Sequence, residues 1–235
     1  MSRPPERILH DTSATIERLR AITERVRIDL RFLHDDRSRM HVATSIDGLD
    51  RVLDIGEGMR GLLAGRPGVE TLDLNDVDDG DKLTRPDLLG DVCQPFPDWM
   101  ARRYDAVIAL AILEHVYDPA AAVANFRRAL KPGGQLFLYV PWMWRYHAPR
   151  SLIFQDYQRL SRDGLAYLLR DFDEVGLYPI RGKWSAIANM MKWWKPRIER
   201  RFGGAINRMI DARASAYRNT IQASGYFVEA RRPAD

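Results

Sequence analysis

Apolar positions near the start of the chain recur every three or four residues, at Ile16, Leu19, Ile22, Val26, Leu30 and Leu33, with Arg and Glu on the other faces. That period predicts one helix over 12–34, packed by a single stripe, with Asp11, Thr12 and Ser13 as N-cap choices. From Leu49 the pattern changes. Short apolar runs at 51–55, 69–74, 87–92, 104–110 and 135–140 read as buried strands, and 119–130 and 163–170 as helices. Pro119 stands where a helix begins and its missing N–H costs nothing. Lys131-Pro132-Gly133-Gly134 reads as a turn, and 177–180 and 226–231 as two late strands. Between those strands Trp184, Ile187, Met190, Met191, Trp194, Ile198 and Phe202 keep helical spacing, with Pro196 as a breaker. A second helix over 205–223 carries Ile206, Met209, Ile210, Tyr217 and Ile221 on one face. Alternating strands and helices at this spacing predict a doubly wound α/β sheet. The predicted organisation is an N-terminal helical extension over 1–44 and one α/β domain over 45–235, with a helical insertion at 184–224.

Composition narrows the class. With 46% hydrophobic and 29% charged residues, the 235-residue chain has enough apolar surface for a full core. It shows neither an apolar leader nor a membrane-spanning run. The single Cys93 rules out an internal disulfide and fits a reducing cytoplasm. The histidines at 10, 34, 41, 115 and 147 are scattered, so no metal site is expected. The net charge of +4 is uneven: from Arg181 onward the balance is +8, and before it −4. Basicity confined to the tail argues against nucleic acid as the acceptor. In the tail Lys192, Lys195, Arg197, Arg200 and Arg201 alternate with Trp and Met. Residues 184–202 therefore read either as a peripheral contact with an anionic membrane, on its inner face, or as a helical pair capping a pocket with its apolar side.

The candidate chemistry begins at Val52-Leu53-Asp54-Ile55-Gly56-Glu57-Gly58-Met59-Arg60-Gly61. A strand ending in G-x-G-x-x-G, with an acidic residue (Asp73) further on, formally fits a dinucleotide and hence an NAD-dependent oxidoreductase. Asp54 points elsewhere. A carboxylate two residues before the first glycine is awkward beside a pyrophosphate and suits a ligand with an ammonium group. Asp73 could accept from two ribose hydroxyls in either case.

The segment V-L-D-I-G-E-G resembles the first motif of class I S-adenosylmethionine (SAM)-dependent methyltransferases, and T-L-D-L the acidic end of their second strand. G-D-V at 90–92, P-F-P-D, Y-D-A-V-I-A-L-A-I-L-E-H-V-Y-D-P and L-K-P-G-G-Q-L-F-L-Y-V-P resemble the later segments in order, across 51–141. The abbreviated first motif and the T-L-D ending are similar to the methyltransferase type 11-like subgroup, which often accompanies glycan or small-metabolite synthesis. The resemblance implies a Rossmann-like seven-stranded sheet with the last strand antiparallel. It implies SAM as cofactor, held by Asp54, Gly56, Glu57, Gly58, Asp73, Leu74, Asp91, Val92 and Ala109. Arg60 stands where many members have a third glycine, and 61–69 leaves room for only a turn or two of helix. That departure keeps a non-catalytic SAM-binding or interaction module among the readings.

In open α/β sheets ligands bind at the carboxyl ends of strands. The acceptor, a small molecule or a glycan- or lipid-linked intermediate, should therefore meet the loops after the fourth and fifth strands. These carry Leu113-Glu114-His115 and Trp142-Met143-Trp144-Arg145-Tyr146-His147. Methyl transfer to oxygen or nitrogen benefits from a base, for which His147 is the first choice and His115 the second. Trp142, His147, Asp156, Tyr157 and Arg159 are the expected acceptor contacts. For His115 a backbone-bonded structural role stands beside the catalytic one, and for Asp156 and Arg159 a local ion pair does.

Overall fold

The computed structural model describes residues 12–56, 58–74, 86–148, 154–190 and 196–234. The chain orders as α1 (Ser13–Glu24), β1 (Arg27–Ile28), α2 (Ser38–Ser45), β2 (Val52–Ile55), α3 (Arg60–Leu63), β3 (Val69–Asp73), β4 (Leu88–Leu89) and β5 (Tyr104–Leu110). It continues as α4 (Pro119–Ala129), β6 (Leu130–Pro141), α5 (Arg162–Leu168), β7 (Asp173–Ile180), α6 (Lys183–Met190), α7 (Pro196–Asp211), α8 (Ala216–Ile221) and β8 (Gly225–Arg231). The strands form one sheet in the order β1-β7-β8-β6-β5-β2-β3-β4. All pairings are parallel except those of β8, which runs against both β6 and β7. The doubly wound sheet with an antiparallel last strand is as expected, but it has eight strands rather than seven.

The extra strand comes out of the predicted N-terminal helix. α1 ends at Glu24, after which Arg25 donates to the carbonyls of Leu169, Arg170 and Phe172 beyond the end of α5. Those bonds turn the chain out of the helix. Val26 and Ile28 pack against the core, and Asp29 N donates to Leu177 O (3.0 Å) as the strand leaves β7. The extension thus joins the sheet. Its Phe32, Val42 and Ile46 are buried against Val52, Ile108, Tyr178 and Phe227.

Alternation along β5 divides the core. Val107 and Ala109 join the cluster holding Leu53, Phe126, Leu138 and Tyr226, while Ala106, Ile108 and Leu110 join the one holding Val42, Met59 and Phe137. α4 begins at Pro119 as its sequence asks, with Asp118 accepting from Ala121 N (3.0 Å), and buries Ala122, Val123, Phe126 and Ala129. The turn predicted at 131–134 is drawn into β6, because Gly133 N donates to Arg232 O (3.0 Å) and Arg232 N to Gly134 O (2.9 Å).

The insertion differs most from expectation. α7 is described from Pro196, the residues at 191–195 lying outside the described ones, and the single helix predicted over 205–223 is two, with Ser215 capping α8. Of the predicted apolar stripe, Trp184, Met190 and Phe202 are exposed, Ile187 is half-buried, and the side chains of Met191, Trp194 and Ile198 lie outside the described residues. The insertion is joined to the domain through buried Ser185, Asn207, Asp211 and Asn219. Asp211 accepts from Gly182 N (2.9 Å), Trp184 N (3.1 Å) and Ser185 N (3.0 Å), tying α7 to the start of α6.

Candidate active site

β2 pairs with β3 on one side and β5 on the other, so the chain leaves the sheet in opposite directions at this point. A cavity of about 310 Å³ opens there, at the carboxyl ends of β2, β3 and β5. Its floor is the turn at Gly56, whose N–H donates to Leu72 O (2.8 Å). Gly56 has φ +69°, and a Cβ there would stand 2.1 Å from Ile112 Cδ1. Glycine takes this backbone without strain, and any side chain here would have to displace the tip of Ile112. Gly58 is packed less tightly, as an added Cβ would stand 3.0 Å from Leu110 Cβ.

Asp54 is buried at the end of β2 and accepts from Met59 N (3.2 Å), which braces the loop. Asp73 and Leu74 do line the cavity, and Leu74 leaves much of its side chain exposed at the end of β3. Asp91 lines it too, accepting from Tyr117 Oη (2.6 Å) and Cys93 N (2.8 Å). Val92, Ile112, Val116 and Phe154 give the slot its apolar walls. Buried Asn125 on α4 fixes the Asp91 wall, donating to Val92 O (2.9 Å) and Gln94 O (2.7 Å) and accepting from Phe96 N (3.3 Å). Ala109 is wholly buried; the wall after β5 is made by Leu110, Ala111 and Ile112. Ala111 has φ +59°, a strain of order 1 kcal/mol held in place by its N–H bond to Tyr139 O (2.9 Å).

A second cluster adjoins this cavity through His115, which lines it and stacks edge-on against Phe154 and His147 at ring-centroid distances of 4.5 and 4.8 Å. His115 Nδ1 lies 2.6 Å from Gln155 O, the backbone-bonded role, and burial holds its pKa below the ordinary value. His147 Nδ1 lies 3.2 Å from Asp156 Oδ2, which also accepts from the His147 N–H (3.0 Å). Arg159 holds Asp156 from the other side and donates to Trp144 O (3.3 Å) and Arg145 O (2.9 Å). Its guanidinium brings the Asp156 pKa down to about 2. Gln158 donates to Leu113 O (2.9 Å) and Val116 O (3.1 Å), and Tyr157 N donates to Glu114 O (2.8 Å). Residues 156–159 are therefore a clasp between the loops after β5 and β6. Asp156 and Arg159 are engaged with each other within it, which is the local ion pair.

Glu114 went unremarked in the sequence. Its side chain is fully buried, and neither carboxylate oxygen has a hydrogen-bond partner among the described residues. Oε1 lies 3.7 Å from His115 Nε2 and 3.6 Å from His147 Nε2. Burial pushes the Glu114 pKa up to about 7. Glu114, His115 and His147 each offer an atom within 4.8 Å of the others, a donor set that a divalent ion could use. No spacing motif announces that grouping, because it is assembled from two loops.

Of the sequence-derived residues, Gly56, Asp73, Leu74, Asp91, Val92 and His115 line one cavity, and His147 stands against its edge. Glu57 lies outside the described residues. Trp142 is partly buried on the core, with Nε1 donating to Ile221 O (3.1 Å), and the Tyr157 ring is exposed. Ala111, Ile112, Tyr117, Phe154, Asn125 and Gln158 were missed.

Sheet order and cavity position are those of the class I SAM-dependent methyltransferase fold. Residues 71–138 match the family described as a methyltransferase domain. Among curated relatives, the ubiquinone biosynthesis O-methyltransferase of Vibrio vulnificus (strain YJ016) is 29% identical over 113 residues, 41% of this chain and 47% of that one. That of Proteus mirabilis (strain HI4320) is 30% identical over 83 residues, 35% and 33% of the two chains. The chain thus spans about half or less of the length of these relatives. Among solved structures, a Haemonchus contortus phosphoethanolamine N-methyltransferase 2, in complex with phosphomonomethylethanolamine and S-adenosylhomocysteine, superposes with a TM-score of 0.50 at 14% identity. The match covers 84% of this chain and 53% of that one, and it is a likeness of fold.

Proposed function

We propose that this protein transfers a methyl group from SAM to an oxygen or nitrogen of a small molecule or of a glycan- or lipid-linked intermediate. The observation that carries this reading is the His147–Asp156 pair standing at the edge of a cavity at the switch point of the sheet. The cavity suits the adenosyl part of SAM. A carboxylate at the end of β3 offers acceptors for two ribose hydroxyls, and the apolar slot bounded by Val92, Ile112 and Val116 suits a flat base beside Asp91. The glycine at 56 leaves room that a side chain would fill. When bound, SAM supplies a methyl group already activated on a sulfonium, so catalysis rests on alignment and on removal of the acceptor's proton.

His147 would take that proton at Nε2. The Arg145 carbonyl, 3.3 Å away, accepts the Nδ1 hydrogen, Asp156 holds the His147 backbone N–H and stands 3.2 Å from Nδ1, and Nε2 faces Glu114. His115 and Phe154 close the water side of the pocket. The oxygen acceptor draws support from the O-methyltransferase names of the curated relatives. Calorimetry with SAM, S-adenosylhomocysteine and NAD, followed by labelled methyl transfer into a metabolite extract, tests the reading. Micromolar SAM binding and a labelled product are expected. A preference for NAD would overturn the cofactor assignment, and SAM binding without transfer to any acceptor would make this a binding module.

A further inference from the structure

α7 is amphipathic with its apolar side turned away from the protein. Residues on a helix advance about 100° each. On that wheel the buried Gly203, Asn207 and Asp211 share one arc, and Phe202, Ile206 and Met209 share another, roughly 120° away. The inward arc is polar: Asn207 donates to His34 O (3.4 Å), and Asp211 caps α6. The outward arc is apolar, with Phe202 54% and Met209 70% exposed. A solvent-facing helix ordinarily shows the reverse arrangement. On α6, which packs against α7, Trp184 and Met190 are exposed as well.

The surroundings are cationic. The chain from Arg181 onward carries a balance of +8, against −4 for the remainder. Arg208, Arg213 and Arg218 are exposed on and just after α7. An apolar helix face flanked by arginine is complementary to a bilayer with anionic headgroups, since the rings enter the acyl boundary while the guanidiniums stay among phosphates. No helix of the described residues is long and apolar enough to cross a membrane, so the contact is one of lying on the surface.

We infer that the outward face of α7, centred on Phe202, Ile206 and Met209, docks on an anionic lipid bilayer. The inference moves the contact from 184–202 toward the later part of the insertion. It also gives the contact a consequence for the site. α8 and the residues after it hold the loop that carries His147, through Trp142 Nε1 to Ile221 O (3.1 Å) and Trp142 N to Ser224 O (2.7 Å). Docking of the insertion is thereby linked through α8 to the loop that carries His147. The docking itself does not depend on methyl transfer and is measured without it.

The test is co-sedimentation of the whole protein with phosphatidylcholine vesicles, with and without phosphatidylglycerol. Binding to the anionic vesicles, weakened by salt, is expected. The double substitution Phe202→Ser with Met209→Ser should weaken it about tenfold or more, with the melting temperature measured to show that the variant is folded. Failure to bind anionic vesicles, equal binding to neutral ones, or unchanged binding by a folded double variant would each overturn the inference. So would light scattering that shows a dimer which the double substitution converts to monomer, since the face would then be covered by a second copy of the chain.

Discussion

Glu114 Oε1 lies 3.6 Å from His147 Nε2, although the two residues arrive from different loops, one after β5 and one after β6. The separation is too long for a hydrogen bond and short enough for strong electrostatic coupling. A wholly buried carboxyl without a hydrogen-bond partner among the described residues is costly to ionise, and its pKa near 7 expresses that cost. Around pH 7 it is divided between a neutral acid and an anion beside the proposed base. The facing groups are His115, His147, Asp156 and Arg159, with Tyr139 also within electrostatic reach.

Replacing Glu114 should change stability in a pH-dependent way. The carboxyl holds its proton more tightly in the fold, with a pKa raised from 4.5 to about 7. Through that window the native state binds more protons than the unfolded one, so stability falls as pH rises and stays lower above it. Glu114→Gln keeps the shape and removes the ionisation. At pH 8 it should be more stable than the parent by up to about 3 kcal/mol, and near pH 4 the two should nearly match. Urea unfolding at both pH values measures the difference; a variant with no advantage at pH 8 would mean that the carboxyl ionises without penalty.

His147→Ala should lower turnover by about 100-fold or more, the usual range for losing a general base, while SAM affinity stays near that of the parent. Asp156→Asn should lower turnover less, because the ring and its Arg145 carbonyl acceptor remain while the charge beside Nδ1 is lost. Single-turnover rates and SAM calorimetry on both proteins separate the effects. Equal losses in binding and rate would assign His147 to the pocket wall. Activity lost to a chelator and restored by a divalent ion would give the Glu114, His115 and His147 grouping a metal instead.

The clasp carries its own acid signature. Asp156 has a pKa lowered from 3.8 to about 2 by the Arg159 guanidinium, so its contribution is fully present above pH 3.8 and is lost as pH falls through about 2. At pH 7 that contribution is about 2 kcal/mol. Asp156→Asn should cost at least that much near neutrality and progressively less in acid, read from denaturant midpoints between pH 7 and pH 2. Arg159→Lys should cost a similar amount, since lysine cannot span Asp156 and the carbonyls of Trp144 and Arg145 together. A cost that does not change with pH would detach the clasp from the ion pair.

Patterns carried by local spacing were readable from the chain, and arrangements made by distant contacts were not. The Gly56 turn, Asp73 and Asp91 lie at strand ends whose apolar runs announce them. The strand at Arg27–Ile28 was hidden because Val26, Leu30 and Leu33 also satisfy a helical period; what decides it is Arg25 reaching carbonyls 144 to 147 residues away. The bond from the Met59 amide to Asp54 was hidden for a similar reason, because it depends on the tight turn at Gly56 folding the chain back. Glu114 was given no role of its own in the sequence, because its burial and its approach to His147 depend on the loop after β6 and the clasp at 156–159.

Gly56→Ala tests the cavity itself. The added methyl would stand 2.1 Å from Ile112 Cδ1, a clash that requires the side chain or the turn to shift, and the backbone there has φ +69°, which alanine adopts at a cost of about 1 kcal/mol. Ile112 is itself part of the cavity wall, so a shift of its side chain narrows the slot. Gly56 N also donates to Leu72 O, next to Asp73, so movement of the turn would drag the β3 carboxylate with it. Both routes converge on the cofactor cavity and leave the clasp at 156–159 untouched. The expected result is SAM binding weakened by about tenfold or more, with a loss of stability of about 1–3 kcal/mol. The double variant Gly56→Ala with Ile112→Ala should recover part of the binding, because it removes the atom struck while leaving the strained φ. Calorimetry on the single and double variants decides it: unchanged affinity in Gly56→Ala would place SAM away from this turn, and absence of any rescue would place the cost in the backbone instead of in the wall.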